Sequence, residues 1–144
     1  MTTVVVADAR PLIGLARIDR LSVRASLYGS VLVPELVLAE LHVDSDRPGA
    51  RALSAALAQG TIRQQALPEG SASELARLGL VLDPGEASAI LLAEHTKCRF
   101  LLIDERRGRQ VARARGIPVV GLAGVLLAAK RPGCSRRSPP RWRT

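Results

Sequence analysis

Aromatic side chains are almost absent from this chain: one Phe, one Tyr and one Trp in 144 residues. That speaks against nucleic-acid recognition through a platform of stacked aromatics. Cysteine and histidine are as scarce. Cys98 and Cys134 form no CxxC pair and His42 and His95 no HExxH motif, which excludes a zinc site and a disulfide framework and fits a reducing cytosol. Long apolar runs are missing too. The longest, Leu122–Ala129, is interrupted by Gly124 and is too short to span a bilayer. No basic segment with a long apolar core precedes Val4, so neither a signal peptide nor a membrane anchor is expected, and the expected location is cytoplasmic.

What is there is Leu, Val, Ile and Ala, a mixture suited to helices that cover a parallel sheet, in a chain long enough for one real core. The formal charge is +8, and half of it comes from Arg136, Arg137, Arg141 and Arg143 near the C-terminus. The body therefore carries a modest bias toward anionic partners.

Two apolar runs end in acids. Thr3–Ala7 leads to Asp8, and Arg99–Ile103 leads to Asp104 and Glu105. Short runs of large apolar residues read as strands buried on both faces, and in open α/β sheets ligands bind just beyond the carboxyl ends of such strands. Between them the pattern predicts helices over 12–18 and 21–28, a strand over 31–33, a helix over 35–43, a loop over 44–49 and a helix over 50–58. A polar edge strand over 61–64, helices over 71–78 and 83–95, a helix over 105–115, a strand over 117–120 and a helix over 121–130 complete it. Alternating strands and helices predict an α/β fold, a three-layer α/β/α sandwich with a short, mainly parallel sheet. The domain is expected over 1–131, and 132–144 forms a basic tail without apolar periodicity. That tail reads either as an RNA-binding arm or as the product of a frameshift near Gly133.

Each acid has a plain structural reading beside a chemical one. Asp8 and Asp104 stand where aspartates cap helices. Glu40 shares the apolar stripe of its helix with Leu36, Val37 and Val43, so it needs a cation, which an arginine could supply. Asp83 and Glu86, with Pro84 between, spell a capping box. Glu86 also heads the stripe Ala89–Ile90–Ala93. Four carboxylates meeting in one place would repel one another unless divalent cations sit among them. Oxygen donors without His or Cys suit Mg²⁺ or Mn²⁺.

In order, the segments Val5–Ile13, Val33–Leu41, Leu82–Ala87 and Leu101–Arg109 resemble the PIN-domain superfamily, nearest to a prokaryotic PIN-like branch related to VapC-type toxins. The resemblance implies a PIN-like α/β/α fold and Mg²⁺- or Mn²⁺-dependent hydrolysis of RNA. It assigns Asp8, Glu40, Glu86 and Asp104 to catalysis and metal binding, with Glu105 as the alternative to Asp104. It also implies a homodimer silenced by a small antitoxin protein. Arg106, Arg107 and Arg109 would hold RNA phosphates. Arg113 and Arg115 read equally well as a solvated helix face.

The sequence departs from the family at two points. Arg10 stands where a small hydroxyl residue is usual, placing a cation to pair with Asp8 or to occupy the metal's place, and Gly121–Gly124 lacks a hydroxyl. These features support the rival reading, an inactive PIN-like module that binds RNA or protein. A receiver-like phosphoacceptor domain fits less well, because a single Asp follows the first strand and the nearest late lysine is Lys130.

Overall fold

The computed structural model describes residues 4–18 and 30–130. The helix expected over 21–28 and the tail over 132–144 lie outside the described residues.

Five three-residue or shorter strands form one parallel sheet: β1 Val5–Ala7, β2 Val31–Val33, β3 Ile62–Gln64, β4 Phe100–Leu102 and β5 Val119–Val120. Their order is β3-β2-β1-β4-β5, so β1 is central and the chain winds outward from it in both directions. Val5 pairs with Val31 on one side and with Phe100 on the other. β1, β2 and β4 are buried throughout, as expected of β-branched and large apolar residues in strands covered on both faces. β3 takes the edge, burying Ile62 and exposing Arg63 and Gln64. A polar residue costs little there because one side of an edge strand faces water.

Seven helices appear among the described residues: α1 Ala9–Arg17, α2 Glu35–Leu41, α3 Ala50–Gln59, α4 Ala72–Leu78, α5 Pro84–Thr96, α6 Arg106–Ala114 and α7 Leu122–Lys130. They cover the sheet as the outer layers of a three-layer α/β/α sandwich. α5 packs against β1 and β4 as well as α2, α4 and α6, and Gly85 to Ala93 are all buried along it. It is the central helix, which explains why its pattern is apolar all round rather than striped.

The core is contiguous. Leu12 and Leu15 of α1, Leu53 of α3, Ile90 and Leu92 of α5 and the strand residues are each essentially inaccessible. Burying a side chain of this size stabilises the fold by roughly 1.5–3 kcal/mol relative to exposure. β4 stops one residue earlier than its apolar run suggests. Ile103 is buried but lies beyond β4, bonded through its N–H to the carbonyl of Val120 at 2.9 Å. That extra step carries Asp104 past the end of the ladder.

Candidate active site

Asp8 follows β1 directly, and its N–H donates to the carbonyl of Leu102 at 2.9 Å, which fixes it beside the end of β4. It occupies the N-cap position of α1 but makes no side-chain capping bond. Only 5% of the residue is exposed. Burial, with the carboxylates of Glu86, Asp83 and Glu40 adding to it, pushes the Asp8 carboxyl up to about 7, although the backbone N–H of Ala9 offsets part of the rise. The capping reading fails for this residue; it is a buried acid among acids.

Glu40 comes from α2, half-buried beside the buried Val37 and Leu41. The stripe drawn from the sequence is displaced, because Leu36 is 39% exposed. Among the described residues, no cation is bonded to Glu40. Burial first, then Asp83, raises the proton affinity of the Glu40 carboxyl, against a weaker opposing influence of His42 and Arg10. The carboxylate instead lies against the backbone of Gly85 at the start of α5.

Glu86 combines both of its readings. Its N–H donates to Asp83 Oδ1 at 2.8 Å, and its Oε1 accepts from the Asp83 N–H at 3.3 Å, completing the capping box. It is nonetheless buried, and burial together with Asp83 and Glu105 raises its carboxyl above the ordinary range. Asp83 thus contributes charge to the cluster, a role hidden in the sequence behind its evident capping position.

Asp104 is placed differently. It is exposed, and its Oδ1 accepts from the Leu122 N–H at 2.8 Å, at the start of α7. A carboxylate at a helix N-terminus is stabilised by the orphan N–H groups there. Arg109 is its neighbour: a Cβ on Gly121 would stand 2.7 Å from Arg109 Nη1 and 2.9 Å from Asp104 Oδ1. The ends of these two flexible side chains fill the place a side chain at 121 would take.

Glu105 lines a pocket together with Glu86 and adds to the raised proton affinity of that carboxyl. Arg10 pairs with Glu105 at 3.4 Å, both side chains being substantially exposed. The cation suspected of binding Asp8 is therefore bonded to Glu105. Beyond them opens a pocket of about 490 Å³, walled by Val81, Glu86, Glu105, Arg106, Arg107 and Gln110. Arg106 and Arg107 stand on this pocket and Arg109 beside Asp104. Arg115 lies elsewhere, gripping Glu94 at 3.0 and 3.2 Å and Glu74 at 3.0 Å.

The geometry gathers Asp8, Glu40, Glu86 and Asp83 at the carboxyl edge of the central strand, with Glu105 next to Glu86 and Asp104 at the adjoining junction. Their oxygen-only donor chemistry, with the raised proton affinities of Asp8, Glu40 and Glu86, fits a hard divalent cation. They are neighbours rather than a formed coordination shell: among the described residues, no group of three or more His, Cys, Asp or Glu side chains is arranged to hold an ion.

A parallel sheet flanked by helices, with acids clustered at its carboxyl edge, defines a class of PIN-like α/β proteins. The family model described as a PIN domain matches residues 4–139, so the chain belongs to the PIN-domain family. PIN domains are generally nucleases and typically use divalent metals. Among solved structures, the chain is similar to SSO1118, a PilT N-terminus domain protein of the archaeon Sulfolobus solfataricus P2. Identity is 13%, with 88% of this chain and 93% of that one covered at a TM-score of 0.56. PAE2754 of Pyrobaculum aerophilum is similar at 18% identity, covering 90% of this chain and 98% of that one at a TM-score of 0.55. These likenesses concern the fold. No curated protein matches the sequence.

Among the described residues, no helix is long and apolar enough to cross a membrane.

Proposed function

We propose that the chain is a divalent-metal-dependent endoribonuclease, with Asp8, Glu40 and Glu86 as the principal ligands and Asp104 or Glu105 completing the set. The observation that carries this reading is Asp8. It is a buried carboxyl with three further carboxylates around it, an arrangement that favours whichever cation relieves the repulsion. Bound Mg²⁺ or Mn²⁺ would supply an acidified water and charge to steady the departing oxygen. In the hydrolysis, water adds at phosphorus, the bond to one ester oxygen breaks, and that oxygen leaves with a proton. Arg106 and Arg107, exposed at the mouth, would hold flanking phosphates.

The motif resemblance supports a narrower version, the toxin half of a toxin–antitoxin pair, acting in the cytoplasm as a homodimer that a small antitoxin protein silences. The test is cleavage of total RNA with Mg²⁺ or Mn²⁺. It should stop with EDTA and fall at least about 100-fold in Asp8→Asn. Metal-independent cleavage, or full activity in Asp8→Asn, would count against it.

One observation favours the second reading, a binding module without catalysis. Asp104 is already engaged by the Leu122 N–H and is not among the carboxylates that press on Asp8. Manganese titration separates the two: saturable binding abolished by Asp8→Asn supports the nuclease, and RNA binding without it supports the module.

A further inference from the structure

The acids converge on the start of α5. Asp83 stands at the N-cap of that helix and is exposed. Its Oδ1 accepts from the Glu86 N–H at 2.8 Å, and its own N–H donates to Glu86 Oε1 at 3.3 Å. Two residues on, the Glu40 carboxylate lies against the backbone of Gly85. Three carboxylates from two helices thus share one helix start, whose partial positive charge lets them approach. Beside them Asp8 is only 5% exposed, and among the described residues it makes neither a capping bond nor an ion pair.

The capping box uses only part of Asp83. The bond to Glu86 takes Oδ1, and Oδ2 is unbonded among the described residues. Serine or asparagine would satisfy the same N–H, so the cap alone does not call for a carboxylate. The charge is costly where it stands. Next to burial, Asp83 does most to raise the Glu40 and Glu86 carboxyls, and it raises Asp8 as well. Asp104, by contrast, is engaged by the Leu122 N–H and presses on none of the three. A charge that repels three neighbours, where a neutral cap would serve, gains a purpose once a cation lies among them.

We propose that Asp83 is a further acid of the cation site, fixing Glu86 with one oxygen and leaving the other for the ion. The proposal rests on the metal-dependent reading above and adds to it a carboxylate outside the four that the motif resemblance assigns. The same bonds fix how Glu86 takes part. Its Oε1 is occupied by the Asp83 N–H, so Oε2 is the oxygen left for a metal. Asp83 is thereby both a positioning residue for Glu86 and a source of charge for the ion.

The test separates the cap from the charge. Asp83→Ser and Asp83→Asn keep a good cap and lose the charge, whereas Asp83→Glu keeps the charge and lengthens the side chain. The full chain, these variants and Asp104→Ser are stripped of metal with EDTA, dialysed, and titrated with Mn²⁺ by calorimetry. Melted without metal, Asp83→Ser and Asp83→Asn should unfold no lower than the wild type, because the cap stays and a repelling charge goes. Their Mn²⁺ affinity should fall about 10- to 100-fold, further than that of Asp104→Ser, and Asp83→Glu should retain most of it. Wild-type affinity in both neutral variants, or a fall no greater than in Asp83→Glu or Asp104→Ser, overturns the proposal and leaves Asp83 a cap alone. Mn²⁺ binding that depends on Asp83, in a wild type that cleaves no RNA, supports the proposal and overturns the nuclease reading. A wild type without saturable Mn²⁺ binding overturns both.

Discussion

The carboxylate of Glu40 rests on the backbone of Gly85: a Cβ at residue 85 would stand 2.6 and 2.8 Å from its two oxygens. Gly85 is the second residue of α5, where alanine is a better helix former by up to about 1 kcal/mol. The contact is with the far end of a flexible side chain, which can swing aside. Gly85→Ala should therefore keep or raise the melting temperature while displacing Glu40 and weakening manganese binding, as read by calorimetric titration. A lower melting temperature with unchanged manganese affinity would show that the glycine serves packing alone.

The raised carboxyl of Asp8 makes a statement about stability and pH. Its folded pKa of about 7 lies above the ordinary 3.8, so between those values the folded state holds a proton that the unfolded chain releases. Unfolding free energy should fall as pH rises from about 4 to 7 and level off above. Asp8→Asn removes this loss. By urea unfolding the variant should match the wild type near pH 4 and exceed it at pH 8, by at most about 4 kcal/mol. Glu40 and Glu86, raised in the same direction, leave a residual slope in the variant. Mn²⁺ at pH 8 should stabilise the wild type and not Asp8→Asn.

Arg10 is the family departure that most affects the site. Its bond to Glu105 spans exposed groups, and such pairs contribute little to stability. Its field nonetheless reaches Glu40 and Glu86, favouring their ionised forms. Arg10→Ser should leave the melting temperature nearly unchanged, release Glu105, and tighten manganese binding a few-fold by removing a competing cation. Weaker binding in the variant would mean that Arg10 helps to hold the acids ionised for the metal.

At a distance from the acids, Arg115 fastens the end of α6 to both α4 and α5 through Glu74 and Glu94. The grip on Glu94 uses two guanidinium nitrogens, a fork geometry that lysine cannot reproduce. Arg115→Ala and Arg115→Lys should each lower stability by roughly 1 kcal/mol, with RNA affinity unchanged. Loss of RNA binding at constant stability would return this residue to the nucleic-acid surface.

Much of this arrangement is legible in the sequence. Asp8 could be found because a run of β-branched residues ends on it, and Glu86 because a capping box announces where its helix begins. Glu40 was visible as an acid on an apolar stripe, although Leu36 proved exposed and the stripe ran instead through Val37 and Leu41. Other features depend on tertiary packing. The ladder of β4 ends at Leu102, and whether Asp104 then turns toward β1 or toward α7 is set by where Gly121 lets it approach. The sequence offers Arg10 to Asp8, its near neighbour along the chain, yet in the fold it meets Glu105, ninety-five positions away. The closeness of Glu40 to Gly85 and the wall made by Val81 and Gln110 join residues with no pattern in common.

The central position of β1 has a consequence for the newly made chain. Asp8 emerges early, but β4, the strand on one of its flanks, and α6 belong to the later part of the polypeptide. Until they have left the ribosome, the first acid has no bonded neighbour on that side, and Glu105 and the cationic helix have no position. A nascent or truncated product ending before β4 would lack the assembled acidic cluster, so any activity of the kind proposed above is deferred until synthesis is well advanced.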